Sequence, residues 1–348
     1  MEEEYNRIDY FRGIAALTVI IGHCIQSGSG KTYIDGQLYF DNQLFMFIYS
    51  FHIPLFMLIS GYLYHHTVQK DVRYIIRSRT IRLVVPALAW GVVNSIYDMA
   101  IQGYMDVSGM GYVVTYILKQ GLFSVWYLWA VFFCSMLVLV GNRVFEDSAI
   151  FYVIVFILTF ITPDRYNLHL YKYMYPYFVI AYFIGKRDMI DEKSGTLRKY
   201  RYVITVMTIL IFLILFRRFD RDSYIYTSFY KVWGSELGVM HQFGVDIYRM
   251  IIGFCGCSMI LLLSWIAYEK IPAVFKRLFV ILGKESLGLY VVGGFLVSKF
   301  LPVITSDIAF HLYILSIETI CSLVLSIGCI QSIRRSRTLR HLLLGGYP

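Results

Sequence analysis

Apolar blocks of roughly 15 to 25 residues recur from one end of the chain to the other, each long enough to cross a hydrocarbon layer about 30 Å thick. They fall at about residues 10–27, 43–65, 80–101, 122–141, 149–162, 172–186, 200–217, 248–268, 280–300 and 309–333, separated by short polar or basic stretches. The fifth and sixth blocks are the shortest. This pattern predicts an all-α fold, a polytopic transmembrane helix bundle of about ten spans. No long polar insert divides the chain, and neither an internal repeat nor a low-complexity tract is present. Residues 1–348 therefore read as a single integral-membrane domain.

Composition agrees. The 348 residues are 58% hydrophobic and 16% charged, against about 25% charged in a soluble protein. The net charge of +9 raises nucleic acid as a partner, but the basic residues sit in alternate loops, which marks topology rather than a binding patch. With the N-terminus inside, about 22 of the 32 Lys and Arg residues fall on the cytoplasmic side, the bias expected of a plasma-membrane protein. The outer set includes Arg249. Both termini are then cytoplasmic, as an even number of spans requires. The opening MEEEYNR is acidic and no small-residue cleavage site follows the first apolar block, so the first helix is expected to be retained.

The six cysteines (Cys24, Cys134, Cys255, Cys257, Cys321, Cys329) all fall in apolar blocks without zinc-site or thioredoxin spacing. They read as small buried hydrophobes, and no metal is expected. One outer loop is long, residues 217–246, and mixes aromatic rings with charges. It suits either stacking against sugar rings or anchoring at the interface through Trp233 and its tyrosines.

Chemistry enters with RIDYFRGIAALTVIIGHC, residues 7–24. Eleven residues of helix turn about 1,100°, three turns plus about 20°, so Arg12 and His23 share a face about 16 Å apart. The stripe reads Asp9, Arg12, Ala16, Val19, His23, Gln26, with Asp9 one turn from Arg12 and placed to pair with it. With Arg12 at the cytoplasmic boundary, His23 lies near the midplane. A polar group is costly there unless it faces protein or a wet cavity. His23 reads as a functional histidine or as one that bonds a neighbouring helix.

A second histidine reaches similar depth. In FHIPLFMLISGYL (51–63), His52 lies about 12 Å below the outer entry of its span. Pro54 frees a backbone carbonyl near Ser50, which His52 could instead be there to satisfy. In the following inner segment Arg79 and Arg82 stand one turn apart, either as a fork for a phosphate-bearing ligand or as inner-face anchors. Glu318 lies about 13 Å deep in the last span, placed to orient a histidine or to stay protonated as a donor. Asn94 in the third span is a weaker candidate, since such amides often bond helix to helix.

Taken together these motifs resemble the acyltransferase-3 family of integral-membrane O-acyltransferases, in its stand-alone form without an extra-cytoplasmic hydrolase-like domain. The resemblance rests on Arg7-x-Asp9-x-x-Arg12-Gly13 followed by His23, on FHIPLFMLISGYL, and on Arg79-x-x-Arg82 leading to Pro86. WYLWAVFF (126–133) and LGKESLGLY (282–290) also fit. It implies transfer of an acyl group, most often acetyl from cytoplasmic acetyl-CoA, to a hydroxyl of a cell-surface or lipid-linked carbohydrate. His23 would be the catalytic histidine with Arg12 and Asp9 as motif partners. Arg79 and Arg82 would serve the coenzyme A phosphates, with His52, Glu318 and Asn94 in support. The chain departs from many relatives after Tyr290, where VVGGF carries no histidine. Midplane polar groups and a basic inner mouth also occur in transporters, so a glycan or solute carrier is the rival reading; an acyltransferase for a small secreted molecule is another.

Overall fold

The structure is a computed structural model that describes residues 2–28, 30–101, 110–162, 168–187, 195–224 and 238–346. Trp233 and the rest of 225–237 lie outside the described residues. The described secondary structure is helical throughout, without strands.

Each of the ten apolar blocks forms helix. In chain order these are α1 (Glu2–Ser27), the pair α2 (Gln43–Tyr49) and α3 (His52–Val68), and α4 (Val72–Ile101). A further helix, α5 (Met110–Phe123), precedes α6 (Trp126–Val144), α7 (Ala149–Ile161), α8 (Leu168–Lys186) and α9 (Gly195–Phe216). The rest are α10 (Val239–Lys270), α11 (Ala273–Lys284), α12 (Ser286–Ile304), α13 (Leu312–Arg335) and α14 (Arg337–Leu344). Eight of the described segments are long and apolar enough to cross a membrane: α1, α2–α3, α4, α6, α9, α10, α12 and α13. α7 is apolar but only 13 residues long. α8 carries Pro176 and five tyrosines, and 13 of its 19 residues are buried. Its polar hydroxyls face protein, which is why its sequence is less apolar than that of its neighbours.

Several boundaries differ from the sequence reading. α10 begins at Val239 after Gly238, whose φ of 80° is a backbone conformation that favours glycine. The predicted ninth span divides at Glu285 into the amphipathic α11 and the apolar α12. The buried-cysteine expectation fails for Cys321 and Cys329, which are exposed on α13. They lie on a surface that this chain leaves uncovered, as a lipid-facing surface is.

The chain divides into two compact units, residues 1–65 with 156–327 and residues 66–155 with 328–348. In the first, α1 packs on α11 with the two backbones almost touching. A Cβ on Gly13 would stand 1.9 Å from the Phe279 carbonyl oxygen, and one on Gly283 would stand 1.7 Å from that of Asp9. Only glycine at both positions permits this approach. Ile20, Cys24, Phe45, Tyr49, Phe212 and Ile252 bury together in the core beside this pair.

In the second unit α4 packs against α5 and α14. Asp98, 2% exposed, accepts from Tyr116 Oη at 2.8 Å and from Gln120 Nε2 at 3.3 Å, joining α4 to α5. Trp90 Nε1 donates to the Leu343 carbonyl at 3.0 Å, which docks α14.

Candidate functional site

α1 is unbroken from Glu2 to Ser27, so the face shared by Arg12 and His23 is retained along it. Asp9 and Arg12 pair toward the N-terminal end of that face, Arg12 Nη1 donating to Asp9 Oδ1 at 3.4 Å. Near the other end, Gln26 follows His23 by three residues on the same face. Gln26 Oε1 accepts from Tyr49 Oη at 3.1 Å. That link carries α1 onto α2, one turn before His52. The His23 ring is only partly buried.

His52 is 2% exposed. Its Nδ1 lies 2.9 Å from the carbonyl oxygen of Ile48. A carbonyl can only accept, so Nδ1 carries the hydrogen, and the neutral ring presents the lone pair of Nε2. The ring packs on Tyr49 with centroids 4.4 Å apart, within electrostatic reach of His23. His23 and His52 thus belong to the same unit of the chain, near enough to feel each other's charge.

The backbone around His52 explains the anchor. Between α2 and α3 the helix tightens: Ser50 N–H is shared between Met46 O at 3.1 Å and Phe47 O at 3.3 Å, and Phe51 N–H reaches back three residues to Ile48 O rather than four. Pro54 has no N–H to give to Ser50 O. α10 supplies donors to the Tyr49 and Ser50 carbonyls, and a second donor to Phe51 O, which already accepts Leu55 N–H. Arg249 Nη2 donates to Tyr49 O at 2.5 Å, Arg249 Nη1 to Ser50 O at 3.1 Å, and Cys257 Sγ to Phe51 O at 3.4 Å. Arg249 is 1% exposed. The sequence reading placed it among outer cations because it began this span at residue 248. The helix starts at Val239, so Arg249 lies nearly three turns inside it. A charged residue in the apolar 239–270 run was the signal available.

Glu318 is 7% exposed and stands against α1 at Gly28, where a Cβ would come 2.4 Å from Oε2. Its Oε1 has no hydrogen-bond partner among the described residues, nor does Thr319 Oγ1. Glu318 therefore reaches α1 on its Cys24–Gly28 face, and it makes no hydrogen bond to either histidine.

The remaining candidates belong to the second unit. Asn94 is buried and donates to Trp90 O within its own helix, at 2.8 Å. Arg79 Nη2 lies 3.5 Å from Thr67 Oγ1. Arg82 is exposed, in a π turn at Thr80–Val84. Pro86, four residues on, offers no N–H to Arg82 O, and a Cβ on Gly345 would stand 2.7 Å from that oxygen. The C-terminal helix with Arg337 and Arg340 is thereby set against the turn that carries Arg82.

A family profile described as "Acyltransferase domain" matches residues 5–335. The chain belongs to the acyltransferase-3 family. Among characterised relatives it is similar to the nodulation protein NolL of Mesorhizobium japonicum, 25% identical over 297 residues that make up 82% of this chain and 74% of that protein. NolL of Sinorhizobium fredii is 25% identical over 236 residues, 66% of this chain and 61% of that protein. No solved structure matches. As a member of the family the chain is a multi-pass membrane O-acyltransferase that uses an acyl donor. The structure also relates the family's motifs to each other. Gly13 of the first motif and Gly283 of LGKESLGLY form the α1–α11 contact, while FHIPLFMLISGYL carries the helix break and His52.

Proposed function

We propose that this acyltransferase moves an acetyl group from cytoplasmic acetyl-CoA to a hydroxyl of a cell-surface or lipid-linked carbohydrate at the cytoplasmic membrane. The observation that carries the reading is the tie between the two histidine-bearing spans: Gln26, one turn past His23 on the same helix face, bonds Tyr49, whose ring packs on His52. His23 is the general base. It takes the proton of the acceptor hydroxyl as that oxygen attacks the thioester carbonyl. The C–S bond then breaks, and the coenzyme A thiolate leaves and recovers the proton from the imidazolium. His52, its Nδ1 committed to Ile48 O, supports the proton transfer through Nε2. Asp9 and Arg12 order the inner end of the same helix face. Arg79 and Arg82 bind the donor's phosphates, a task for which guanidinium forks are suited.

The unbroken match to residues 5–335 supports reading the whole chain as one acyltransferase domain. Ten crossings with both termini inside follow from the distribution of Lys and Arg. Reporter fusions at either end are expected to register only on the cytoplasmic side.

The central test compares surface glycans of cells carrying wild type, His23→Ala or no copy of the gene, by mass spectrometry. Wild type is expected to add an ester that the His23→Ala strain lacks, with a rate loss of about 10²- to 10⁴-fold at equal protein level. Equal decoration by both proteins, above the null strain, would remove His23 from the chemistry. Movement of labelled solute without acetyl-CoA would favour the transport reading.

A further inference from the structure

The break in the second span is held by side chains of another helix, and its consequence lies at a histidine. In a regular helix Ile48 O would accept the backbone N–H of His52, and Tyr49 O that of Ile53. Here Ile48 O takes Phe51 N–H and the His52 ring, while Tyr49 O and Ser50 O take the two ends of the Arg249 guanidinium. The same departure from α geometry that requires Arg249 frees the carbonyl that holds the His52 ring.

The Arg249 fork is itself fixed. Its charged plane lies 5.0 Å from the Tyr173 ring centroid and 5.5 Å from that of Phe219. Tyr173 Oη is 3.4 Å from the Arg249 carbonyl and 3.0 Å from Tyr177 Oη, which is 3.2 Å from Met250 O. No carboxylate forms an ion pair with Arg249 among the described residues, and its Nε is unpartnered. Burying a cation in this way is expensive. If bonding these carbonyls were the only need, an unbroken helix without Pro54 would meet it with backbone N–H groups.

We propose that Arg249 is a positioning residue for acyl transfer: it holds the α2–α3 break open, and the break fixes the His52 ring with Nδ1 on Ile48 O and Nε2 left for the proposed proton chemistry. The inference rests on the proposed histidine chemistry. It predicts that the cation at 249 and the proline at 54 act as one device, although they lie on different helices.

Membranes from cells expressing each variant, supplied with radiolabelled acetyl-CoA, report transfer as alkali-labile label. Thermal unfolding of the detergent-solubilised protein reports folding. Arg249→Met is expected to lower both melting temperature and kcat. Pro54→Ala restores an N–H for Ser50 O and lets the helix straighten. It is expected to keep or raise the melting temperature while kcat falls about 10- to 100-fold at nearly unchanged KM for acetyl-CoA. Arg249→Lys, which keeps the charge but not the fork, is expected to fall between wild type and Arg249→Met in kcat. The double variant Pro54→Ala/Arg249→Met is expected to regain stability over Arg249→Met without regaining rate.

A wild-type kcat in Pro54→Ala, or recovery of rate in the double variant, overturns the proposal. If Arg249→Met does not fold, Pro54→Ala decides alone. His23→Ala runs alongside: full activity in that variant fails the histidine reading and the inference with it. An inactive His23→Ala beside a fully active Pro54→Ala fails the inference only.

Discussion

A carbonyl oxygen 2.9 Å from Nδ1 settles which nitrogen of His52 holds a proton, and a single residue thereby acquires a direction. His23 and His52 were both legible in the sequence, because an ionisable group in an apolar block is conspicuous. Which atom each presents was not, since that depends on neighbours four residues away in a helix that departs from regularity. Glycine gives the converse case. Gly283 is unremarkable in LGKESLGLY, yet a Cβ there meets the Asp9 backbone at 1.7 Å, and backbone cannot swing aside. Gly283→Ala is expected to destabilise the protein by about 1–3 kcal/mol, the usual range for overpacking, or more if α1 and α11 must part. Thermal unfolding in detergent measures this, and activity should fall with the α1 geometry.

Among the elements, the interrupted second span and α8 show opposite readings of polarity. Pro54 announced an irregular backbone in the sequence, and the structure supplies its partners from α10. α8 was among the shortest blocks in the sequence, and its tyrosine-rich helix is largely buried in protein. The two short turns before α2 and after α9 are tied by an ion pair between Asp41 and Arg221, with Arg221 Nε donating to Asp41 Oδ1 at 3.0 Å. The hydrogen bond from Arg221, then its charge, hold the Asp41 carboxyl below the usual carboxylate range. The native state thus binds this proton less readily than the unfolded chain does. The pair contributes stability above the unfolded carboxylate's pKa of about 4, and loses it as pH falls through the lower native value. Both side chains are more than half exposed, so the effect is small and screened by salt. Asp41→Asn is expected to flatten the acid limb of a melting-temperature profile between about pH 5 and pH 3, leaving neutral stability almost unchanged.

For the molecule as a whole, the histidines lie in the unit built from 1–65 and 156–327 and the Arg79-x-x-Arg82 motif in the other, so the proposed mechanism divides proton and donor chemistry between them. Substitution in each should therefore leave a different kinetic signature. Arg82→Gln is expected to raise KM for acetyl-CoA about 10-fold or more with a smaller change in kcat, because it removes binding shared by ground and transition states. His23→Ala is expected to lower kcat instead. Initial rates over a range of acetyl-CoA concentrations distinguish the two, and equal effects on kcat from both would place Arg82 in the chemical step.

The sequence by itself determined the class of protein, the helices, the face shared by Arg12 and His23, and the family. All of these depend on composition, on periodicity over one or two turns, or on short motifs, which are local quantities. Tertiary structure alone decided that Gly13 meets Phe279 and Gly283 meets Asp9, that the Tyr49 ring beside His52 bonds Gln26, and that Arg249 serves a helix nearly two hundred residues before it in the chain. Such contacts join residues whose separation along the chain carries no periodic signal. They exist because buried carbonyls and charges must find partners wherever folding brings them.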